Sequence, residues 1–265
     1  MQNFIIYKNI KIAFSSEGKG GSIVLLHGFL ENSTMWSSVK KELSKRNRVI
    51  CIDLLGHGKT DCLGYIHTMV DMAKGVAAVL KHLKIRRSIL IGHSMGGYVG
   101  LAFAEYFPDN VKGLCLVNST AKADLEARKT MRIRAVEAAK REYTTLVKLS
   151  ITNLFGAENK KLFRREIKEV EKQALSTPLQ GYIAAQEGMR LRKDREVLLY
   201  FSPYKKMIIV GKEDAMLHHE ELLEQTKNPE VEVVILPGGH MSHIENEEGL
   251  IAALKKFIRS QYSFL

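Results

Sequence analysis

The sequence predicts an α/β fold in which a doubly wound, mostly parallel sheet is flanked by helices and carries an inserted helical segment. Apolar runs without polar alternation recur in the first half of the chain, and such runs are typical of parallel strands that helices cover on both faces. Helical patterns separate these runs, which is the order found in doubly wound proteins. After Asn118 the pattern becomes purely helical before strands resume.

The first half of the chain supplies an opening hairpin and four buried strands. Phe4–Tyr7 and Ile10–Phe14 are separated by Lys8-Asn9 and alternate polar and apolar residues, a pattern that predicts a hairpin. The buried strands are predicted at Ser22–His27, Arg48–Asp53, Ser88–Gly92 and Lys112–Val117, and the intervening helices at Thr34–Arg46, Thr68–Leu83 and Met95–Tyr106.

The second half begins with a helical and strongly charged segment. Residues 121–200, called the insertion below, contain no convincing buried strand. We therefore predict that they form a helical insertion between the two halves of a core made of residues 1–120 and 201–265. The remaining elements are two strands and a final amphipathic helix, at Lys206–Val210, Val231–Leu236 and Asn246–Arg259.

Composition is that of an ordinary globular protein, with 45% hydrophobic and 26% charged residues. This is enough apolar material for a core without disulfides or metals. No apolar run approaches the roughly 18 residues of a membrane span, and the N-terminus is typical of a strand rather than a signal peptide. Cys51, Cys62 and Cys115 show no paired spacing, so we expect reduced thiols and a cytoplasmic location.

The net charge of +11 is concentrated in the insertion, which carries 18 Lys and Arg against 11 Asp and Glu, a net charge of +7. No nucleic-acid-binding motif accompanies these charges, so nucleic-acid binding is not expected. One interpretation of these charges is that they lie on solvated helix faces. An attraction for an anionic substrate or an acidic acyl carrier is the other.

A Gly-x-Ser-x-Gly motif, Gly92-His93-Ser94-Met95-Gly96, lies between a predicted strand and a predicted helix. A sharp strand-to-helix turn exposes a serine hydroxyl above the sheet, beside free amides at the helix N-terminus. Glycines are needed because side chains there would clash with neighbouring backbone. Ser94 is therefore the candidate nucleophile, and an ordinary N-cap serine in a glycine-rich turn is the alternative.

A serine nucleophile needs a general base and a carboxylate that orients this base. The base is expected after the last strand, where His240 follows two glycines. His243 is the alternative, although its place beside the final helix favours packing. The carboxylate is expected after the preceding strand, where Asp214 lies next to the fallback acid Glu213. We predict a triad of Ser94, His240 and Asp214.

Two backbone amides are candidates for the oxyanion hole, which stabilises the charge that develops during acyl transfer. The Met95 amide follows the nucleophile directly. Gly28 permits a tight turn after an early strand and would aim the Phe29 amide at the reacting carbon. We interpret His27 as a structural residue beneath the site rather than a catalytic one. No cofactor and no metal are expected. A metal site would need several ligands at sensible spacing, and the sequence shows no such set.

Together these motifs resemble those of the α/β-hydrolase family, and the resemblance covers nearly the whole chain. It implies the α/β-hydrolase fold, a cap over the nucleophile, and a loop beside the site that Asp53 and His57 shape. Proline is usual in relatives where this chain has Leu55. The motifs occur in the family's order, at His27–Phe29, Asp53–Thr60, Gly92–Gly97, Gly211–Asp214 and Gly239-His240.

The resemblance implies a serine hydrolase that cleaves a carboxylic ester or thioester of a small or medium acyl substrate through an acyl-enzyme intermediate. Ser94 argues against epoxide hydrolases and haloalkane dehalogenases, which use an aspartate nucleophile. A triad-dependent lyase or carbon–carbon hydrolase, such as the menaquinone-pathway synthase, is an alternative, and a non-catalytic binding protein is another. Tyr98 stands where that synthase family has an arginine that binds a substrate carboxylate.

The acyl pocket is expected beneath the cap, and the basic insertion is compatible with the esterase that frees pimeloyl groups from acyl carrier protein. Trp36, the single tryptophan, is expected to pack in the core. The candidate pocket residues are Met131, Leu146, Leu149, Leu154, Phe155, Met189 and Met216.

Overall fold

The computed structural model describes residues 2–217, 219–227 and 230–261. Its strands are β1 (Gln2–Tyr7), β2 (Ile10–Glu17), β3 (Gly21–Leu26), β4 (Asn47–Ile52), β5 (Ser88–His93), β6 (Val111–Val117), β7 (Lys205–Gly211) and β8 (Val231–Leu236). They form one eight-stranded sheet in the order β1-β2-β4-β3-β5-β6-β7-β8. The pairs β1/β2 and β2/β4 are antiparallel, and the other pairs are parallel. The predicted mostly parallel sheet is confirmed.

Helices cover both faces of this sheet. They are α1 (Ser37–Leu43), α2 (Met69–His82), α3 (Met95–Tyr106), α4 (Glu126–Thr152), α5 (Asn159–Leu162), α6 (Arg164–Ala174), α7 (Leu179–Arg190), α8 (Val197–Phe201), α9 (His219–Gln225), α10 (Ser242–Glu245) and α11 (Glu247–Ser260). Residues of α2 and α3 pack on one face, and residues of α1 and α11 pack on the other. This is the doubly wound arrangement that the alternating pattern predicts.

Strand β3 shows why the strands read as unbroken apolar runs. Val24 and Leu26 pack with the layer of α2 and α3, whereas Ile23 and Leu25 pack with the layer of α1 and α11. All four side chains are fully buried, because helices cover both faces of the strand. Burial of each contributes on the order of 2 kcal/mol relative to exposure. Trp36 is likewise fully buried beside α1.

Helices α4 to α8 lie between β6 and β7 in the chain. They share a hydrophobic cluster with the core, in which Val147 and Phe155 of this segment join Leu30 and Met241. The longest of these helices, α4, is kinked at Glu142, whose φ of −134° and ψ of 54° are not helical. The kink divides α4 into two helical pieces.

Two glycines allow the insertion to approach the core closely. A Cβ at Gly181 would lie 2.2 Å from the carbonyl oxygen of Gly56, and a Cβ at Gly188 would lie 1.7 Å from that of His67. Any side chain would force these backbones apart. The His67 N–H also donates to the Ala184 carbonyl at 2.9 Å, so the two backbones are directly bonded.

Within the described ranges, no helix is both long and apolar enough to cross a membrane. The three cysteines are free, and Cys51 and Cys115 are buried. Burial raises the pKa of the Cys51 thiol to about 12. This thiol is therefore protonated and unreactive at neutral pH.

Candidate active site

A cavity of about 330 Å³ lies at the carboxyl edge of the parallel strands, where the core faces the insertion. This edge is where ligands bind in open α/β sheets. Phe29, Ser94 and His240 line the cavity from the loops that follow β3, β5 and β8. These loops, with the loop that follows β7, are called the catalytic wall below. Residues of the insertion form the opposite wall.

Ser94 lies on a strained turn between β5 and α3. Its φ of 49° and ψ of −116° fall outside the regions that L-residues favour, and such a conformation costs on the order of 1–3 kcal/mol. A Cβ at Gly92 would lie 2.3 Å from the Gly96 carbonyl oxygen, and one at Gly96 would lie 2.3 Å from that of Leu26. The Ser94 N–H donates to the Val117 carbonyl at 2.9 Å. Packing therefore holds the half-buried serine at the cavity.

His240 and Asp214 form a buried pair, with His240 Nδ1 at 2.8 Å from Asp214 Oδ2. Burial alone would raise the pKa of Asp214, but His240 and several hydrogen bonds hold it below its ordinary value. Two of these bonds come from the amides of Met216 and Leu217, which donate to Oδ1 at 2.8 and 3.1 Å. A charged Asp214 places the ring proton on Nδ1, and Nε2 is then free to accept a proton.

Asn118 supports this pair and was not anticipated from the sequence. It follows β6 directly, is fully buried, and donates from Nδ2 to Asp214 Oδ2 at 2.9 Å and to the Gly239 carbonyl at 3.2 Å. Its Oδ1 accepts from the Ser242 hydroxyl at 2.7 Å. The available signal was a polar residue directly after a buried strand, at the same edge of the sheet as Asp214.

The two alternative residues lie elsewhere. Glu213 is exposed, whereas Asp214 contacts the histidine. His243 is buried on α10, and its Nε2 lies 3.7 Å from Glu31 Oε1. Burial lowers the pKa of His243 to about 4, so its ring is neutral at pH 7. It packs beneath the catalytic wall and does not line the cavity.

His93, within the serine motif, has both ring nitrogens against hydrogen-bond acceptors. Nδ1 lies 2.8 Å from Glu31 Oε2, and Nε2 lies 2.9 Å from the His240 carbonyl oxygen. A carboxylate and a carbonyl accept only, so both nitrogens carry protons and His93 is an imidazolium. Burial alone would lower the pKa of His93, but Glu31 raises it above its ordinary value. Burial alone would raise the pKa of Glu31, but His93 lowers it to about 2.

This buried ion pair connects three loops of the catalytic wall. Glu31 Oε2 also accepts from the Gly28 amide at 2.7 Å, beside the predicted oxyanion residue. His93 precedes Ser94 and holds the backbone of His240. The pair thereby fixes the positions of the loops after β3, β5 and β8 relative to one another. Sequence analysis did not identify Glu31, because nothing in the linear pattern shows which histidine it meets.

The two predicted oxyanion amides belong to Phe29, which lines the cavity, and Met95, which is fully buried at the start of α3. Within the described part of the chain, neither amide donates to a protein acceptor. A Cβ at Gly28 would lie 2.4 Å from Glu31 Oε2, so any other residue here would displace the carboxylate that pairs with His93. His27 is fully buried and its Nε2 accepts from the backbone, which agrees with a structural role.

The loop after β4 is held by Asp53 and His57. Asp53 accepts from the amides of Ser33 and Lys59 at 2.8 and 2.9 Å. His57 is fully buried, with Nδ1 at 3.0 Å from the Leu55 carbonyl oxygen. Burial lowers the pKa of His57 to about 3. Both residues act on the loop, and neither lines the cavity.

The histidine loop is also bonded to the insertion. The His240 N–H donates to the Leu154 carbonyl at 2.8 Å. Glu245 Oε2 accepts from the amides of Gly156 and Gly239, both at 2.9 Å. The backbone that carries the candidate base is thus fixed from both sides of the cavity.

The expected acyl pocket is partly wrong. Of the seven candidates, Leu146, Leu149 and Phe155 do not line the cavity, and Leu146 and Phe155 belong instead to the hydrophobic cluster that the insertion shares with the core. The helical pattern shows that a residue is apolar but not whether its face turns to the cavity, the cluster or solvent. The four candidates that line the cavity are Met131, Leu154, Met189 and Met216.

A mostly parallel sheet with a strained serine turn after β5, an acidic residue after β7 and a histidine after β8 defines the α/β-hydrolase fold. The chain belongs to the alpha/beta hydrolase fold family, whose model matches residues 21–247. The family that the sequence motifs indicate is confirmed.

Relatives with assigned activities include a pimeloyl-[acyl-carrier protein] methyl ester esterase of Aliivibrio salmonicida, which is 25% identical over 95% of this chain and 97% of its own. A putative 2-succinyl-6-hydroxy-2,4-cyclohexadiene-1-carboxylate synthase of Bacillus subtilis is 33% identical over 44% of each chain. Uncharacterized proteins of Mycobacterium tuberculosis and Mycobacterium bovis are 41% identical over 107 residues. That match covers 40% of this chain and 31% of their length.

Among solved structures, a thermophilic esterase from Thermogutta terrifontis superposes with a TM-score of 0.92 and 30% identity. The match covers 98% of this chain and 99% of the esterase. Together with the esterase relative, this similarity supports a hydrolase.

Proposed function

We propose that the chain is a serine hydrolase that cleaves a carboxylic ester or thioester of a small or medium acyl group. The observation that carries this proposal is the arrangement at one cavity, where Ser94 and His240 line the same space and His240 is bonded to Asp214. A nucleophile, a base and an orienting carboxylate are the groups that acyl transfer needs.

In the acylation step, the Ser94 hydroxyl attacks the ester carbonyl while His240 Nε2 removes its proton. The electron pair of the carbonyl moves to oxygen, and the amides of Phe29 and Met95 donate hydrogen bonds to this oxyanion. The tetrahedral intermediate collapses, the bond to the leaving alcohol breaks, and His240 returns the proton to that alcohol. Asp214 stabilises the transient imidazolium.

In the deacylation step, His240 removes a proton from water, which attacks the acyl-enzyme carbonyl at the same oxyanion hole. Collapse releases the carboxylic acid, and the proton returns to Ser94. Every group used belongs to the chain or to water.

The chain divides into a core of residues 1–120 and 201–265 and a cap of residues 121–200. The insertion is this cap. Its residues supply the wall opposite the catalytic wall. Shape and charge of that wall then select the acyl group, and the catalytic wall carries out the reaction.

The test is hydrolysis of p-nitrophenyl esters together with labelling by a fluorophosphonate probe. Ser94→Ala should lower kcat by about 10⁴-fold or more and abolish labelling. Ser38→Ala, at an exposed position on α1, is the matched control and should keep both. Near-normal turnover by Ser94→Ala would contradict the assignment. Labelling at Ser94 without turnover of any ester would instead favour a lyase or carbon–carbon hydrolase. Absence of labelling would favour a binding protein.

A further inference from the structure

Three arginines of the insertion line the cavity opposite Ser94. Arg128 and Arg132 lie four residues apart on α4 and therefore share a helix face, and Arg192 follows α7. Asp124 lines the same wall. These four residues are called the arginine cluster below. It combines three positive charges with one negative charge.

Two of these arginines are bound to the same carboxylate. Arg132 Nε lies 2.5 Å from Asp124 Oδ2, and Arg192 Nη1 lies 2.7 Å from Oδ1. Arg132 also donates to Gln186 Oε1 at 2.9 Å. The Arg192 guanidinium stacks on the Tyr98 ring, 4.1 Å from its centroid. Both side chains are therefore held in place, and Asp124 compensates only one of the two charges.

Arg128 is the third arginine, and within the described residues no carboxylate lies within 4.0 Å of it. Its Nη2 donates to the Met216 carbonyl at 2.7 Å, which orients the half-buried guanidinium without neutralising it. The other carboxylate in the cavity lining, Glu31, is already paired with His93. The cavity thus keeps a positive wall with donors that no acceptor among the described residues uses.

We propose that this wall binds a free carboxylate of the substrate, so that the enzyme hydrolyses half-esters of dicarboxylic acids. This inference rests on the proposed function and names its substrate class. The Arg128 fork pairs with the carboxylate, since guanidinium and carboxylate match in shape and charge. Met131, Leu154 and Met189 lie along the same cavity and accommodate the methylene chain between the carboxylate and the ester. The ester carbonyl then lies at Ser94.

The test compares kcat/KM for monomethyl glutarate with kcat/KM for its uncharged analogue methyl pentanoate. The wild-type protein should prefer the half-ester, and the preference should fall as salt screens the ion pair. Arg128→Gln should reduce the ratio of the two kcat/KM values by roughly tenfold to a hundredfold, chiefly through KM of the half-ester. Arg128→Lys should recover part of it, because the charge returns without the fork.

Arg134→Gln is the matched control, because it removes the same charge from an exposed position on α4 and should leave the ratio unchanged. Glutarate should inhibit the wild-type protein competitively and the Arg128→Gln protein much less, and inorganic phosphate should be the weaker inhibitor of the wild type. An equal effect of the two variants on the ratio would overturn the inference, and so would stronger inhibition by phosphate. In both cases, continued hydrolysis of the neutral ester would leave the proposed function intact. Loss of all ester turnover in the wild type would instead refute the proposed function.

Discussion

The two walls of the cavity differ in how they balance charge. On the catalytic wall, each buried carboxylate is paired with a histidine, and backbone amides and Asn118 donate further hydrogen bonds to these carboxylates. On the opposite wall, the arginine cluster carries more positive charge than its single carboxylate compensates. The paired groups of the first wall suit the catalytic role that we propose for it, and the excess positive charge of the second suits the carboxylate binding that we propose there.

Histidine content follows the same division. The insertion contains no histidine, although the chain has nine, and its charge comes from Lys, Arg, Asp and Glu alone. The core therefore contains the groups that change charge near neutral pH. The predictions below test whether reactivity and acid sensitivity both belong to the core.

The largest effect is expected from removal of the candidate base. His240→Gln should lower kcat for p-nitrophenyl esters by about 10⁴-fold or more, because no other group then takes the proton from Ser94. His243→Gln is the matched control, three residues away and away from the cavity, and should change kcat by less than about tenfold. Stopped-flow or steady-state assays of both purified variants decide the matter. Equal losses would mean that the base has been misassigned.

A smaller effect is expected from the buried ion pair. Glu31→Gln leaves the His93 imidazolium without its carboxylate and should reduce the free energy of unfolding by about 3 kcal/mol, as for other broken buried pairs. Turnover should also fall, because the Gly28 loop loses its anchor. Glu137→Gln breaks the exposed Glu137–Lys140 pair of the insertion and should cost at most about 1 kcal/mol. Urea unfolding of both variants measures the difference, and equal costs would remove the contrast between the two regions.

The last prediction concerns the pH dependence of stability, in which a single histidine has a smaller effect than the broken ion pair. Burial lowers the pKa values of His57 to about 3 and of His67 and His243 to about 4, from an ordinary 6.5. As pH falls from 6.5 to 4 the unfolded chain binds protons at these sites and the folded chain does not, so stability is lost. Each histidine contributes about 1 kcal/mol per pH unit. The raised pKa of His93 acts with opposite sign, but only above pH 6.5.

Urea unfolding at pH 7 and pH 5 tests this expectation. His67→Gln should reduce the change in the free energy of unfolding between the two pH values. His82→Gln, at an exposed position, should leave this change as it is in the parent protein. A stability that stays constant from pH 7 to pH 5 would show that these histidines are protonated in the folded chain.

Most of the fold could be predicted from the sequence because local pattern dictates it. Strands buried on both faces read as unbroken apolar runs, and Gly92 is required by the backbone of Gly96, only four residues away. The supporting groups of the site depend instead on loops that meet only in the folded chain. Glu31 and His93 are 62 residues apart, and no spacing rule connects them.

The arginine cluster illustrates the same limit. The resemblance to the menaquinone-pathway synthase implies an arginine at the position of Tyr98, and this difference weakens the match to that enzyme. The structure places Arg192 of the insertion above that tyrosine ring. Arg192 lies 98 residues after Ser94 in the chain. A motif counted from the nucleophile could therefore not reveal it.

The hydrogen bond from the His240 amide to the Leu154 carbonyl has a consequence for how such enzymes diversify. Replacement of a whole insertion by that of a relative is an obvious route to new selectivity, by recombination or in the laboratory. Here the short stretch from Leu154 to Gly156 is joined to the histidine loop, so a transplant must reproduce its backbone path. Under the proposed function, selectivity can change through cavity-lining side chains of α4, such as Met131, while this backbone path is kept.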